Sequence, residues 1–141
     1  MLRLANLIEL ILKVDILVVN EIETAFLTGQ NVDSEEEVIL AARKLQHFGV
    51  ETLIISLGKR GALVLTQNES FRIPAFTVDA VDTTAAGDVF CDSLAVAIVE
   101  GRKLKEAIRF ANSASALSVT KMGAQTSAPK RAESDQFLKK Q

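Results

Sequence analysis

The sequence predicts an α/β fold of three layers, α/β/α, built on a mixed and partly parallel sheet. Three observations carry that expectation. Short β-rich runs are separated by stretches of helical spacing, which argues for strands joined by helical crossovers. Hydrophobic residues make up 48% of the 141 residues, with seven Phe and no Trp or Tyr, so a core is available and must be aliphatic. Two strand-like runs joined through a GKRG turn read as a strand and its return, which gives the sheet an antiparallel part.

The elements follow in order. Leu4, Leu7, Ile8, Ile11 and Leu12 recur at helical spacing, and VDILVV (14–19) is a short strand. NEIETAFLTG forms the next helix, which Gly29 stops. Ser34 and Glu37 make a capping box for a helix whose apolar face is Val38, Ala41, Ala42, Leu45 and Phe48, ended by Gly49. ETLIIS (51–56) reads as a buried strand, ALVLT (62–66) as the returning one, and SFRIP as one more before Pro74. A long helix begins after Gly87, runs to Glu100 and is broken by Gly101. Another spans Leu104 to Lys121, and a short polar helix, Lys130 to Lys140, closes the chain. The order is α-β-α-α-β-β-β-α-α-α, within one domain of ordinary size and with no internal repeat or low-complexity tract.

Bulk properties exclude several classes. The 16 basic and 18 acidic residues nearly cancel and form no basic stripe, so no nucleic-acid partner is expected. Glu9, Lys13 and Asp15 interrupt the apolar N-terminal segment, which then reads as helix and strand, not as a signal peptide or a membrane span. The lone Cys91 excludes an internal disulfide framework and a Cys-based zinc site. Inside an apolar run it reads as a buried, inert thiol of a reducing, cytoplasmic compartment. His47, the sole histidine, stands near a helix C-terminus, where the partial negative charge favours it, and has a structural role.

Chemistry concentrates in four places. In VDTTAAGDVFCDSLAVAI (81–98), small residues and Asp88 precede an apolar run. A helix N-terminus there presents unpaired N–H groups that a phosphate or a developing anion can approach closely. Asp88 either caps that helix or takes a proton from an incoming hydroxyl. Asn20 and Glu23 follow a buried strand at a spacing that suits a capping pair or a site for hydrated Mg²⁺ beside phosphates. SLGKRG, comprising Ser56, Leu57, Gly58, Lys59, Arg60 and Gly61, is a plain turn between strands or a loop that approaches a ligand. The small residues of FANSASALSVTKMGAQTS (110–127) let a helix pack closely on a neighbour or on a flat ligand.

Together these pieces resemble the ribokinase-like sugar kinase family. VDTTAAGD is similar to its D-T-x-G-A-G-D motif, NEIETAFLTG to its N-x-x-E segment, and SLGKRGALVL to its nucleotide-loop hairpin. FANSASALSVTKMGAQTSAP is closest to the branch that takes ribose, as is Ala85, where the general motif has Gly. The resemblance covers residues 1–141 as the C-terminal part of such a kinase, without the N-terminal half and β lid that hold most of the sugar. It implies transfer of the γ-phosphoryl of ATP to the 5-hydroxyl of ribose. Fructose, a nucleoside or a purely nucleotide-binding role are the alternatives. By resemblance Asp88 is the base, and the backbone N–H groups of Ala85, Ala86, Gly87 and Asp88 form an anion hole. Asn20 and Glu23 lie near the phosphates and Mg²⁺, while Ser56 to Gly61 and Asn112 contact ATP. A K⁺-type ion sits against Asp82, Thr84, Ser118, Lys121, Gly123 and Ser127. Asp92 stands where the family usually has Gly, and a second carboxylate near Asp88 either opposes ionisation of the base or faces polar surroundings without effect. The absent half is expected to leave apolar surface that a second copy or a separate N-terminal half covers.

Overall fold

The computed structural model describes residues 4–11, 13–79, 81–83, 85–120 and 129–140. It divides into two compact units, 1–72 and 73–141.

The first unit opens with α1 (Leu4–Ile11), whose Ile11 is buried, and β1 (Ile16–Asn20). Leu12, expected on the apolar face of α1, lies outside the described residues. Next come α2 (Glu21–Thr28), α3 (Glu35–His47), β2 (Thr52–Ser56), a 3₁₀ turn (Gly58–Arg60), β3 (Ala62–Leu65) and β4 (Ser70–Ile73). The sheet order is β1-β2-β3-β4. β1 and β2 are parallel, joined through α2 and α3, and their register sets Asn20 opposite Ser56. β2 and β3 are antiparallel, with Leu53 opposite Leu65 and Ser56 opposite Ala62. The predicted element order and the parallel-plus-antiparallel sheet are therefore both present.

Every residue of β3 is buried, as are Leu53, Ile54 and Ile55 of β2. Strands covered on both faces read as continuous apolar runs, which is why ETLIIS and ALVLT show no alternation. One face of the sheet joins Val19, Leu53, Ile55, Leu63 and Leu65 to Val38, Ala42 and Leu45 of α3. These are the α3 residues the sequence assigns to an apolar face.

The starts of α2 and α3 are closed by capping boxes. At α3, Ser34 Oγ accepts the Glu37 N–H at 3.2 Å and Glu37 Oε2 accepts the Ser34 N–H at 3.0 Å. We expect Ser34→Ala to cost about 1 kcal/mol in chemical denaturation; an unchanged midpoint would contradict the cap's role. At the other end of α3, His47 Nδ1–H donates to the Arg43 carbonyl at 2.8 Å, in keeping with a structural role. In α2 the buried residues are Thr24 and Thr28, whose hydroxyls donate to the Asn20 and Thr24 carbonyls at 2.7 Å each. The larger Ile22 and Phe26 are exposed.

The second unit holds α4 (Ala86–Val99), α5 (Leu104–Ser118) and α6 (Arg131–Lys139). α5 packs against both α4 and α6. Its buried face includes Ala107, Ala111, Ser113, Ala114 and Ser118, so the small-residue run serves close helix packing. Arg102, in the turn after α4, donates to both carboxylate oxygens of Asp135 on α6 at 3.2 and 3.5 Å, and lies 4.3 Å from the Phe110 ring centroid. Phe137 meets Phe76 edge to face at 5.0 Å.

Three expectations need correction here. α4 starts at Ala86, before Gly87, because Ala85 closes the preceding turn and small residues continue it into the helix. Cys91 is exposed, not buried: α4 buries Val89, Phe90, Leu94 and Ala97, and Cys91 falls on the opposite stripe. α5 ends at Ser118 with Val119 as its C-cap, short of Lys121.

Candidate active site

In the first unit the expected nucleotide residues gather at the carboxyl ends of two parallel strands. Asn20 ends β1, Ser56 ends β2, and the two are register partners. Ligands collect beyond such strand ends in open α/β sheets. Asn20 and Glu23 are a true capping pair: Asn20 Oδ1 accepts the Glu23 N–H at 2.8 Å, and Glu23 Oε2 accepts the Asn20 N–H at 2.9 Å. Each uses one polar atom, which leaves Asn20 Nδ2 and Glu23 Oε1 for a ligand.

The loop 56–61 is held tightly. Leu57 N–H donates to the Gly61 carbonyl at 2.8 Å, the Leu57 carbonyl accepts the Arg60 N–H at 3.1 Å, and the Leu57 side chain is buried in the core. Gly58 and Gly61 have φ of +56° and +85°, a region that other residues rarely adopt, which explains both glycines. Arg60 pairs with Glu21 of α2, so its charge is already compensated. Glu21 went unnoticed in the sequence, where it reads only as an acid in a first helical turn. Lys59 is exposed.

In the second unit Asp88 is the third residue of α4 and is exposed, so it is not the N-cap. The N-cap is Ala85, which has no side-chain acceptor to offer. Glu23 and Glu37 occupy the same third position of α2 and α3 and fold back onto their caps. Among the described residues, nothing engages the Asp88 carboxylate. Of the four expected anion-hole groups, the Ala86 N–H is directed to the Thr83 carbonyl at 3.2 Å.

The loop before α4 is tied to the end of α5. The Val119 carbonyl accepts from the N–H groups of Val81 and Asp82, at 2.6 and 3.0 Å. Ser115 Oγ–H donates to the Ala86 carbonyl at 3.0 Å, and Ser118 Oγ–H donates to the Ser115 carbonyl at 2.7 Å. Asp82 and Ser118 of the expected K⁺ site are thus brought to one end of α5. Thr84, Lys121, Gly123 and Ser127 lie outside the described residues. Ser115 and Val119 had no signal beyond the run of small residues.

Asn112, expected to contact ATP, is half-buried on α5. Its Nδ2 is buried and has no hydrogen-bond partner among the described residues. A buried amide donor without an acceptor is costly, and a ligand acceptor would relieve it.

Residues 4–131 match the pfkB family of carbohydrate kinases. The chain belongs to that family. It is 44% identical to a ribokinase of Haemophilus influenzae over 130 residues, covering 92% of this chain and 42% of the relative. Arabidopsis thaliana ribokinase, solved with ribose and ATP, superposes with a TM-score of 0.88 at 36% identity over 94% of this chain and 43% of that one. An Escherichia coli protein of the ribokinase II type, solved with ATP and Mg²⁺, gives a TM-score of 0.86 at 26% identity, over 97% of this chain and 43% of that one. The fold is therefore the ribokinase-like one. The pfkB chain spans less than half the length of the relatives it matches. No helix among its described residues is long and apolar enough to cross a membrane.

Proposed function

We propose that this chain supplies the nucleotide-binding and phosphoryl-transfer part of an ATP-dependent sugar kinase, with the 5-hydroxyl of ribose as acceptor. The observation that carries the reading is the start of α4, where no described residue engages the exposed acid at the third position, while its counterparts in α2 and α3 are folded onto their caps. A carboxylate free of the cap is available to a hydroxyl, and the helix N-terminus beside it favours the negative charge of a moving phosphoryl group. In this reading Asp88 takes the acceptor's proton while the N–H groups of Ala85, Gly87 and Asp88 hold the phosphoryl oxygens. Ala86 joins them once its N–H leaves the Thr83 carbonyl.

Asn20 Nδ2 and Glu23 Oε1 are the groups that reach toward phosphates and a hydrated Mg²⁺. That ion, when bound, neutralises charge on the transferring group. The free carboxylate oxygen of Glu23 suits such a hard, water-retaining cation, while the Asn20 Nδ2–H suits a phosphate oxygen. Loop 56–61 and Asn112 hold the nucleotide. A K⁺-type ion at Asp82, Thr84, Ser118, Lys121, Gly123 and Ser127 would steady the loop before α4. The Val119 carbonyl would not be among its ligands, since both lone pairs already accept N–H groups. The setting is cytoplasmic, and the sugar is held largely by protein beyond the region matched here, whether a separate N-terminal half or a second copy. The preference for ribose rests on the 44% identity to a ribokinase.

The test is ADP release with ATP, Mg²⁺ and K⁺, compared among ribose, fructose and a nucleoside. Ribose-dependent release that falls when K⁺ is withdrawn is the expected result. ATP binding with no release on any acceptor would leave a nucleotide-binding module. A second check isolates Asn112. Asn112→Leu should leave the melting temperature unchanged or slightly raised, because it removes an orphan donor, and should weaken ATP binding about tenfold. A lowered melting temperature with unchanged ATP affinity would make Asn112 purely structural.

A further inference from the structure

The loop 56–61 is fastened from outside as well as from within. Its 3₁₀ turn ends at Arg60, and other elements hold both the side chain and the carbonyl of that residue. The guanidinium pairs with Glu21, the first residue of α2. The carbonyl accepts from Arg72 Nη1 of β4 at 3.4 Å. Arg72 Nε in turn pairs with Glu35, the first residue of α3, at 2.8 Å.

The two anchors are alike. Glu21 and Glu35 each follow the N-cap of a helix whose capping box is closed. A carboxylate in a first helical turn is favoured by the partial positive charge there, and the capped backbone fixes where it stands. The side chains of both ion pairs are 32–48% exposed, and pairs of that kind add little to global stability. Their effect is local. Gly58 and Gly61, both at positive φ, make this connection costly to order, so contacts from outside the loop decide how long it stays in place. The start of α2 also carries Asn20 and Glu23, so the Glu21–Arg60 pair ties the loop to the groups assigned above to phosphates and Mg²⁺.

We propose that Arg60 and Arg72 are positioning residues that clamp loop 56–61 to the starts of α2 and α3. Arg60 then serves the nucleotide through this clamp and not as a phosphate contact, because its guanidinium is engaged by a carboxylate. The proposal deepens the nucleotide-loop reading and rests on it.

Two measurements test it: ATP titration, and native-state exchange of the Leu57 and Gly61 amides, which donate to the Gly61 and Gly58 carbonyls. Glu21→Gln, Arg60→Gln and Arg72→Gln should each speed exchange at both amides about threefold and weaken ATP binding by a similar factor, the worth of an exposed ion pair. The melting temperature should hardly move, and Arg60→Lys should recover part of the ATP affinity. Glu21→Gln combined with Arg60→Gln should be no worse than either alone, since both remove one pair. Losses that multiply in the double variant would show that Arg60 reaches the nucleotide directly and would overturn its assignment. Unchanged exchange in all three single variants, or a lower melting temperature with the loop amides and ATP affinity unmoved, overturns the clamp. If the wild type binds no ATP, the nucleotide reading fails, and the exchange rates still decide whether the clamp exists.

Discussion

Asp88→Asn is expected to reduce ribose-dependent ADP release by about 10²- to 10⁴-fold, the usual contribution of a positioned general base. The substitution is nearly isosteric and keeps a polar residue at the third position of α4. What it removes is the capacity to accept a proton. ATP affinity should stay within about threefold, under 1 kcal/mol, because the nucleotide groups proposed here lie elsewhere on the chain. Stability should fall by no more than the roughly 0.3–1 kcal/mol that an acid contributes in a first helical turn. The cap comparison sharpens the test. Had Asp88 been folded onto its cap, as Glu37 is, its loss would have read mainly as destabilisation. A turnover number within threefold of the wild type would remove Asp88 from the role of base.

Leu53→Ala should produce the largest stability loss of any single truncation in the first unit. Leu53 is 0% exposed and sits between two leucines in register, Leu17 on β1 and Leu65 on β3. Deleting the middle of such a row leaves a cavity that strands fixed on both sides cannot close. Leu→Ala changes of this kind cost about 2–5 kcal/mol, a large share of the 5–15 kcal/mol that separates folded from unfolded domains. Urea denaturation followed by far-ultraviolet circular dichroism would read it as a fall in midpoint. Leu40→Ala is the contrast: that residue is 61% exposed and should shift the free energy by less than about 0.5 kcal/mol. Equal effects of the two would show that the sheet core is not where burial places it.

The order of elements was legible because its signals are local. Ser34 with Glu37, Gly29 after α2, and the apolar spacing of α3 each act within a few residues. The same locality made both capping pairs readable, and it is why the Asn20–Glu23 pair could not be assigned between cap and ligand from spacing. The structure shows the cap and leaves one atom of each side chain over. Cys91 was misread because an apolar run was taken to mean burial all round. α4 buries only one stripe, and its outer stripe carries Cys91, Val96 and Val99 into exposure. The family resemblance gave the roles expected of Asp88 and Asn112, which no periodicity contains. Contacts distant in sequence left no trace: Arg60 with Glu21 and Arg102 with Asp135 both depend on how the helices pack.

The Val119 carbonyl, which takes two N–H groups from the loop before α4, has a mechanical consequence. Val81 and Asp82 belong to no helix or strand, yet both hang from one oxygen at the tip of α5. Ser115 grips the first residue of α4 from the same helix. Val81 and Asp82 therefore have no free swing of their own. They ride on α5 as on a lever arm, and Ser115 carries whatever tilts that arm to the helix start.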